Sequence, residues 1–200
     1  GENGIFSNCV GETRLFESHW WGKAEPIYVT AVHRFSQAAE QGSLPEWNPR
    51  GELGRIRHVR FSNILCRAEN GVFIAADAPM RDAAGKPVYH IEDLVLDKVG
   101  IEVDKWSKWH GGLHDRRPCD DKGPAFRDPT QDPGLTEHPT AGVFVQHARE
   151  VTLRHTQVVW GDNRPDYFRH AIEAHDAPQL DTSSFRGDAA HEGIAASLVK

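Results

Sequence analysis

Several things are scarce in this chain of 200 residues, and each scarcity closes off a class. There are three cysteines, Cys9, Cys66 and Cys119, and no Cys-x-x-Cys pair. Three thiols cannot all pair with one another, and the spacing excludes a zinc ribbon or a disulfide framework. Apolar runs are short, and none approaches the roughly 18 residues of a membrane-spanning helix. Basic residues are in the minority, 23 Lys and Arg against 29 Asp and Glu, for a net charge of -6. That balance excludes a chain that coats nucleic acid or an anionic membrane by bulk charge. There is no Gly-x-Ser-x-Gly elbow, phosphate loop or dinucleotide fingerprint, so serine-hydrolase and nucleotide chemistry have no motif to rest on. No charged segment followed by an apolar one precedes the first strand-like run. Gly1 opens directly into Ile5-Phe6-Ser7-Asn8-Cys9, and we expect these residues to continue a longer parent chain.

What is present describes one folded domain, residues 1–200. Six Trp and nine Phe are spread along the whole length, which a disordered chain would not carry. With 18 Gly and 12 Pro, the elements should be short and the turns many.

The informative pattern is a strand that recurs. In Ile56-Arg57-His58-Val59-Arg60-Phe61-Ser62-Asn63-Ile64, alternation puts Val59 and Phe61 on one face. Ile91 to Val99 repeats the spacing, with Leu94, Leu96 and Val99 at the places of Val59, Phe61 and Ile64. Ala148 to Leu153 repeats it with Val151 and Leu153, Ala177 to Thr182 is a weaker copy, and Ile5 to Cys9 echoes Phe61 to Ile64. A second short strand follows within the units: Gly71-Val72-Phe73-Ile74, Gly142-Val143-Phe144-Val145 and Ala171-Ile172-Glu173-Ala174. A constant strand core at variable spacing is what a solenoid with loop insertions shows. A β-sandwich has no reason to reuse one strand signature. The expected fold is therefore all-β, a parallel β-helix with two long insertions, about 33–53 (with a helical turn through Phe35 to Glu40) and about 105–140. Val59, Phe61, Leu94, Leu96, Val151 and Leu153 should stack inward.

Five of the six Trp stand in polar, glycine-containing stretches: Trp20 and Trp21, Trp106 and Trp109, and Trp160. Indole faces beside Asp, Arg and His suit sugar rings, stacking on the apolar face while hydroxyls take hydrogen bonds. The same rings could instead pin loops. The segment His110-Gly111-Gly112-Leu113-His114-Asp115-Arg116-Arg117 gathers imidazole, anion and cation. His110 and His114 would share a helix face, but the glycine pair argues against a helix there, and no metal site is expected. Arg116 and Arg117 suit a carboxylate, which a guanidinium grips with two parallel hydrogen bonds; a loop salt bridge to Asp115 or Asp120 is the plainer use of either.

These coils, together with Thr13-Arg14-Leu15-Phe16 and Trp20-Trp21-Gly22-Lys23-Ala24-Glu25-Pro26-Ile27-Tyr28-Val29, resemble the later coils of the pectin-degrading right-handed parallel β-helix proteins. The nearest group is the polygalacturonase-like glycoside hydrolases, family 28 and its bacterial relatives. Of the motifs that line that family's groove, the Asn-Thr-Asp, Asp-Asp and Gly-His-Gly elements are absent here. Arg14-Leu15-Phe16 matches only the first position of its Arg-Ile-Lys, with Lys23 on the next turn to stand in for the lysine. The resemblance implies inverting hydrolysis of an acidic, galacturonan- or rhamnogalacturonan-type polysaccharide, outside the cell or in the periplasm, without a cofactor. In such a reaction an acid protonates the glycosidic oxygen and a carboxylate activates water. Glu25, Asp115 and Asp162 are the carboxylates in suitable surroundings. Arg14, Trp20, Trp21, Lys23, Trp106, Trp109, Arg116, Arg117, Trp160 and Arg164 are the expected substrate contacts. The alternatives are a polysaccharide lyase on the same fold, which needs a base and a cation, and a non-catalytic carbohydrate-binding β-helix fragment. The expected partner is an oligo- or polysaccharide, with self-association through an exposed first coil.

Overall fold

The computed structural model describes residues 1–16, 23–32, 53–115 and 135–200. Among them there is no helix. The strands are β1 (Glu2–Thr13), β2 (Tyr28–Ala31), β3 (Ile56–Ala68), β4 (Val72–Ala76), β5 (Met80–Arg81), β6 (Pro87–Val88), β7 (Ile91–Val103), β8 (Leu113–Asp115), β9 (Leu135–Glu137), β10 (Val143–Gln146), β11 (Ala148–Arg154), β12 (Gln157–Trp160), β13 (Ile172–His175) and β14 (Ser197–Val199). The first sheet runs β1-β3-β7-β11 with β12 also on β7, the second runs β14-β13-β10-β4-β2, and every pairing in both is parallel. The chain visits the two sheets in turn: β1 then β2, β3 then β4, β7 then β10, β11–β12 then β13. Two antiparallel hairpins, β5–β6 and β8–β9, stand apart from them.

The register is the one that the recurring strand predicts. Val59 pairs with Leu94, Phe61 with Leu96 and Ile64 with Val99; Leu94 pairs with Val151 and Leu96 with Leu153. Phe6 lies opposite Phe61, their rings stacked at 5.0 Å. The weak copy takes its place too, since Thr152 bridges to Asp181 and so sets Leu180 beside Val151. Leu94, Leu96, Val99, Val151 and Leu153 are fully buried, in one cluster with Val29, Ile74, Val145 and Ala174 of the second sheet.

A feature of the backbone explains the odd phase of the buried positions. In β3 the inward positions run buried Val59, half-buried Phe61, then buried Ile64, half-buried Cys66 and buried Ala68, shifting by one at Asn63. Asn63 has φ 53°, and its register neighbours Asn8, Lys98 and His155 have 57°, 56° and 49°. A second row, Asn3, His58, Asp93, Glu150 and Gln179, is left-handed in the same way. A single left-handed residue interrupts the alternation and bends a strand, so each long strand is three short ones joined at corners, and these corners align across the paired strands. Asn63 Nδ2 donates to Asn8 Oδ1 across 2.7 Å, tying one corner to the next.

The helical turn expected through Phe35 to Glu40, the rest of the first insertion up to residue 52, and residues 116–134 of the second lie outside the described residues. The described part of the second insertion contains β8 and β9.

Candidate functional site

The site lies on the outer face of the second sheet. Alternation turns Val72, Ile74, Val143, Val145, Ile172 and Ala174 inward. Tyr28, Phe73, Phe144 and Glu173 occupy one cross-strand row on the other face. The rings of this row stack, Tyr28 on Phe73 at 5.6 Å and 14°, Phe73 on Phe144 at 5.3 Å and 8°. The hairpin β8–β9 packs across them. His114 meets Phe73 and Phe144 edge-on at 4.9 and 4.3 Å, and His138, just after β9, stacks on His114 at 4.0 Å. Phe73, Phe144 and His114 are buried, whereas Tyr28 keeps 41% of its surface.

At the Tyr28 end stand two carboxylates and a lysine. Tyr28 Oη donates to the Asp115 carbonyl at 2.8 Å; Asp115 and Lys23 are both buried. Glu25 Oε2 accepts the Lys23 N–H at 2.5 Å, and its Oε1 is buried without a hydrogen-bond partner. Burial pushes the Glu25 carboxyl up to about 7, the N–H groups of Glu25 and Lys23 oppose the rise, and the negative charge of Asp115 adds to it. A carboxylic acid that holds its proton to neutrality beside a second carboxyl group is the equipment of general acid–base catalysis.

At the other end of the row, Glu173 Oε1 meets His175 Nε2 at 2.7 Å and His138 Nε2 at 3.3 Å. Burial would raise its pKa, but the hydrogen bonds from His138 and His175 outweigh it and bring Glu173 down to about 2. The contact with Glu173 raises His138 in turn.

The residues singled out from sequence are distributed unevenly. Lys23, Glu25 and Asp115 converge. Asp162 and Arg14 are exposed. Trp106 lies under the Arg67 guanidinium at 4.6 Å, and Trp109 under the Lys108 ammonium at 4.8 Å with Phe16 at 5.8 Å. Trp160 is a core residue, 6% exposed, in register with Val103 and with its Nε1 donating to the Asp188 carbonyl. Its alternation after Val158 signals this placement, so it presents no free ring face. Arg164 folds back on the carbonyls of Gly161, Trp160 and Ala190, which pins a turn. Trp20, Trp21, Arg116 and Arg117 lie outside the described residues.

Buried Glu69 was not singled out either. Its Oε2 accepts Leu15 N at 2.6 Å, and its Oε1 accepts Trp106 N at 2.7 Å, Ser107 N, and Lys105 Nζ at 3.2 Å. Burial disfavours the charge, yet the hydrogen bonds from Ser107, Leu15 and Trp106 hold its carboxyl below the usual range. With every oxygen so engaged, Glu69 is an anchor for the loops that leave the first sheet.

No protein-family model matches this chain, and neither the curated proteins nor the solved structures yield a significant match to it.

Proposed function

We propose that this chain is a right-handed parallel β-helix that hydrolyses glycosidic bonds in acidic polysaccharide, with Glu25 as proton donor and Asp115 as the base that activates water. Alternate visits to two parallel sheets, each circuit adding one strand beside the last, support the helical winding, and crossovers between parallel strands are right-handed almost without exception. The observation that carries the chemistry is Glu25: a carboxyl group with a buried, unpartnered oxygen, pushed up to about 7, and close enough to Asp115 to feel its charge. A carboxyl group that keeps its proton to neutrality beside a second carboxyl group is how a glycosidase can supply an acid next to a base. The exposed ring of Tyr28 and buried Lys23 supply a stacking face and positive charge beside them. The setting of such a substrate is extracellular or periplasmic.

Reducing ends released from polygalacturonate, against a neutral glucan, test the reading. Wild type should cleave the acidic polymer alone, with inversion at the anomeric carbon, and Glu25→Gln should lose about 10²–10⁴ in rate, the usual share of a general acid. Equal cleavage of both polymers, or an unaltered Glu25→Gln, would refute it.

A further inference from the structure

The first sheet ends in unlike ways on its two sides: β1 closes one, and β11 with β12 close the other. The β11–β12 side is covered. Thr152 bridges to Asp181 and Gln157 to Arg186, and backbone hydrogen bonds join Glu150 to Pro178, Leu153 to Asp181 and Val158 to Arg186. The β1 side is bare. Among the described residues its strand partner is β3 alone, and every residue of β1 except Gly4 and Thr13 is exposed. Phe6 stands in the inward row with Phe61, Leu96 and Leu153, yet keeps 55% of its surface, and Ile5 and Val10 keep 75% and 86%. The open edge of a sheet presents N–H and C=O groups that template a further strand, and natural edges are blunted by Lys, Pro or shortness. β1 runs 12 residues with neither Lys nor Pro.

The edge also dictates what can pair with it. Its left-handed corners are Asn3 and Asn8; those of β3 are His58 and Asn63, those of β7 are Asp93 and Lys98, and Glu150 and His155 follow at the same interval. A strand that continues this ladder must therefore bend at the residues facing Asn3 and Asn8. An Asn facing Asn8 would extend the side-chain ladder begun by Asn63 Nδ2 and Asn8 Oδ1. Direction follows from the same corners. In an antiparallel copy of β1 whose corners met Asn3 and Asn8, Ile5 would face Phe6. Directly opposed residues share one face of a sheet, whereas Ile5 and Phe6, as neighbours in one strand, point to opposite faces. Only a parallel strand sets corner on corner and apolar row on apolar row. Among the described residues the strands with such corners are already paired, and the edge of this sheet that a second copy could offer in parallel is the covered one.

We propose that the free edge of β1 is a docking site for a parallel β-strand of a partner polypeptide, one with Asn or another residue that accepts a left-handed backbone facing Asn3 and Asn8, and with apolar side chains facing Phe6 and Cys9. Such a strand takes its affinity from main-chain hydrogen bonds and its specificity from the side chains at alternate positions. It buries Phe6 at the open end of a row whose other members Leu96 and Leu153 are already fully buried. The site lies on the first sheet and uses neither Glu25 nor Asp115, so it stands apart from the cleavage of polysaccharide.

The probe is a synthetic peptide with the sequence of β3, Ile56–Ala68, carrying Cys66→Ser and added to the whole chain. Labelled peptide should bind saturably, and a peptide of the same composition in scrambled order should not. Phe6→Lys, which sets a charge in the apolar row, should weaken binding about tenfold or more; its circular dichroism checks that it still folds. Register and direction are read without changing the chain. A peptide that also carries Ile64→Cys places a thiol opposite Cys9, at the ~4.8 Å spacing of paired strands and within the ~4.4–6.8 Å that a disulfide spans. It should oxidise onto Cys9. A peptide with Arg60→Cys instead, opposite Ile5 on the outward row, should not. No saturable binding at about 1 mM peptide, or equal cross-linking by both cysteine peptides, would overturn the proposal. So would a dimer of the chain that shields Cys9 from thiol labelling, since the edge would then belong to a second copy.

Discussion

The two sheets carry charge on their outer faces in opposite ways. On the first, opposite charges alternate across neighbouring strands: Arg57 with Glu2, Arg149 with Glu92, Arg154 with Asp97. These side chains keep between 15% and 57% of their surface, so water still reaches each pair and the pairing costs little. On the second, Lys23, His114, Asp115 and Glu173 are nearly fully buried beneath or beside aromatic rings. Taking ionisable groups out of water is expensive unless each is matched, so a sheet needing only a solvated surface would be built like the first. The contrast sets the two faces apart electrically: titration displaced to about 7 at Glu25 and about 2 at Glu173 belongs to the second sheet's side, and that displacement is what the proposed function draws on.

The contrast can be broken most sharply from inside the first sheet. Leu96 is fully buried, between Phe61 and Leu153 in the ladder. Leu96→Asp should cost about 4 kcal/mol or more, by placing an unpaired charge in the core. Urea unfolding measures this; a loss below about 0.5 kcal/mol would mean that position 96 faces water.

Next in size is the pH dependence set by Glu25. Its folded pKa lies near 7, above its ordinary value of 4.5. The raised value means that the folded state holds a proton which the unfolded chain has released. The relative stability is fully present below 4.5 and is lost as pH rises through 7, a loss of about 3 kcal/mol over that window. Glu25→Gln should remove this dependence and be the more stable protein at pH 8. Urea midpoints at pH 4.5 and pH 8 for both proteins decide it, and parallel trends would show that Glu25 titrates as in water.

The smallest effect belongs on the first sheet's outer face. Arg149→Ala breaks a pair with Glu92 at 2.6 Å, yet should cost only about 0.2–1 kcal/mol and less in high salt. A cost of 3 kcal/mol would put that face on the same footing as the second sheet's.

The parts of this arrangement that can be read from sequence are those carried by side-chain alternation. Val59, Leu94, Val151 and Leu180 could be aligned before any strand was seen, because a buried ladder needs an apolar residue at each level. The corners were hidden. Asn8, Asn63 and His58 are types that tolerate a left-handed backbone, but Lys98, Glu150 and Gln179 are not, and their φ values come from the register of neighbouring strands rather than their own preference. The Glu173 cluster was hidden for another reason. His138, Glu173 and His175 each stand alone in sequence, one after a hairpin and two in a four-residue strand, and only the cross-strand row and the β8–β9 hairpin bring them together. Glu25, Lys23 and Asp115 could be named because each sits in a conspicuously polar, tryptophan-bearing stretch, although their meeting depends on the fold. Trp160 drew the same attention and belongs to the core, because glycine and acidic residues after it masked the alternation before it.

The register has a consequence for how this chain finds its structure. Ladder partners on neighbouring strands are 55, 35, 57 and 29 residues apart, as the pairs Asn8–Asn63, His58–Asp93, Asp97–Arg154 and His147–Asp176 show. No strand of the two large sheets can therefore find its partner locally, and assembly proceeds through long-range closures of the kind that slow folding. The entropy of closing a flexible loop grows only with the logarithm of its length, so the 57-residue connection costs just about 0.6 kcal/mol more to close than the 29-residue one. Lengthening a connection between paired strands is then nearly free in stability, provided that the ladder positions on either side keep their register. A chain built in this way can gain or exchange long loops while the parallel ladders that carry its core stay the same.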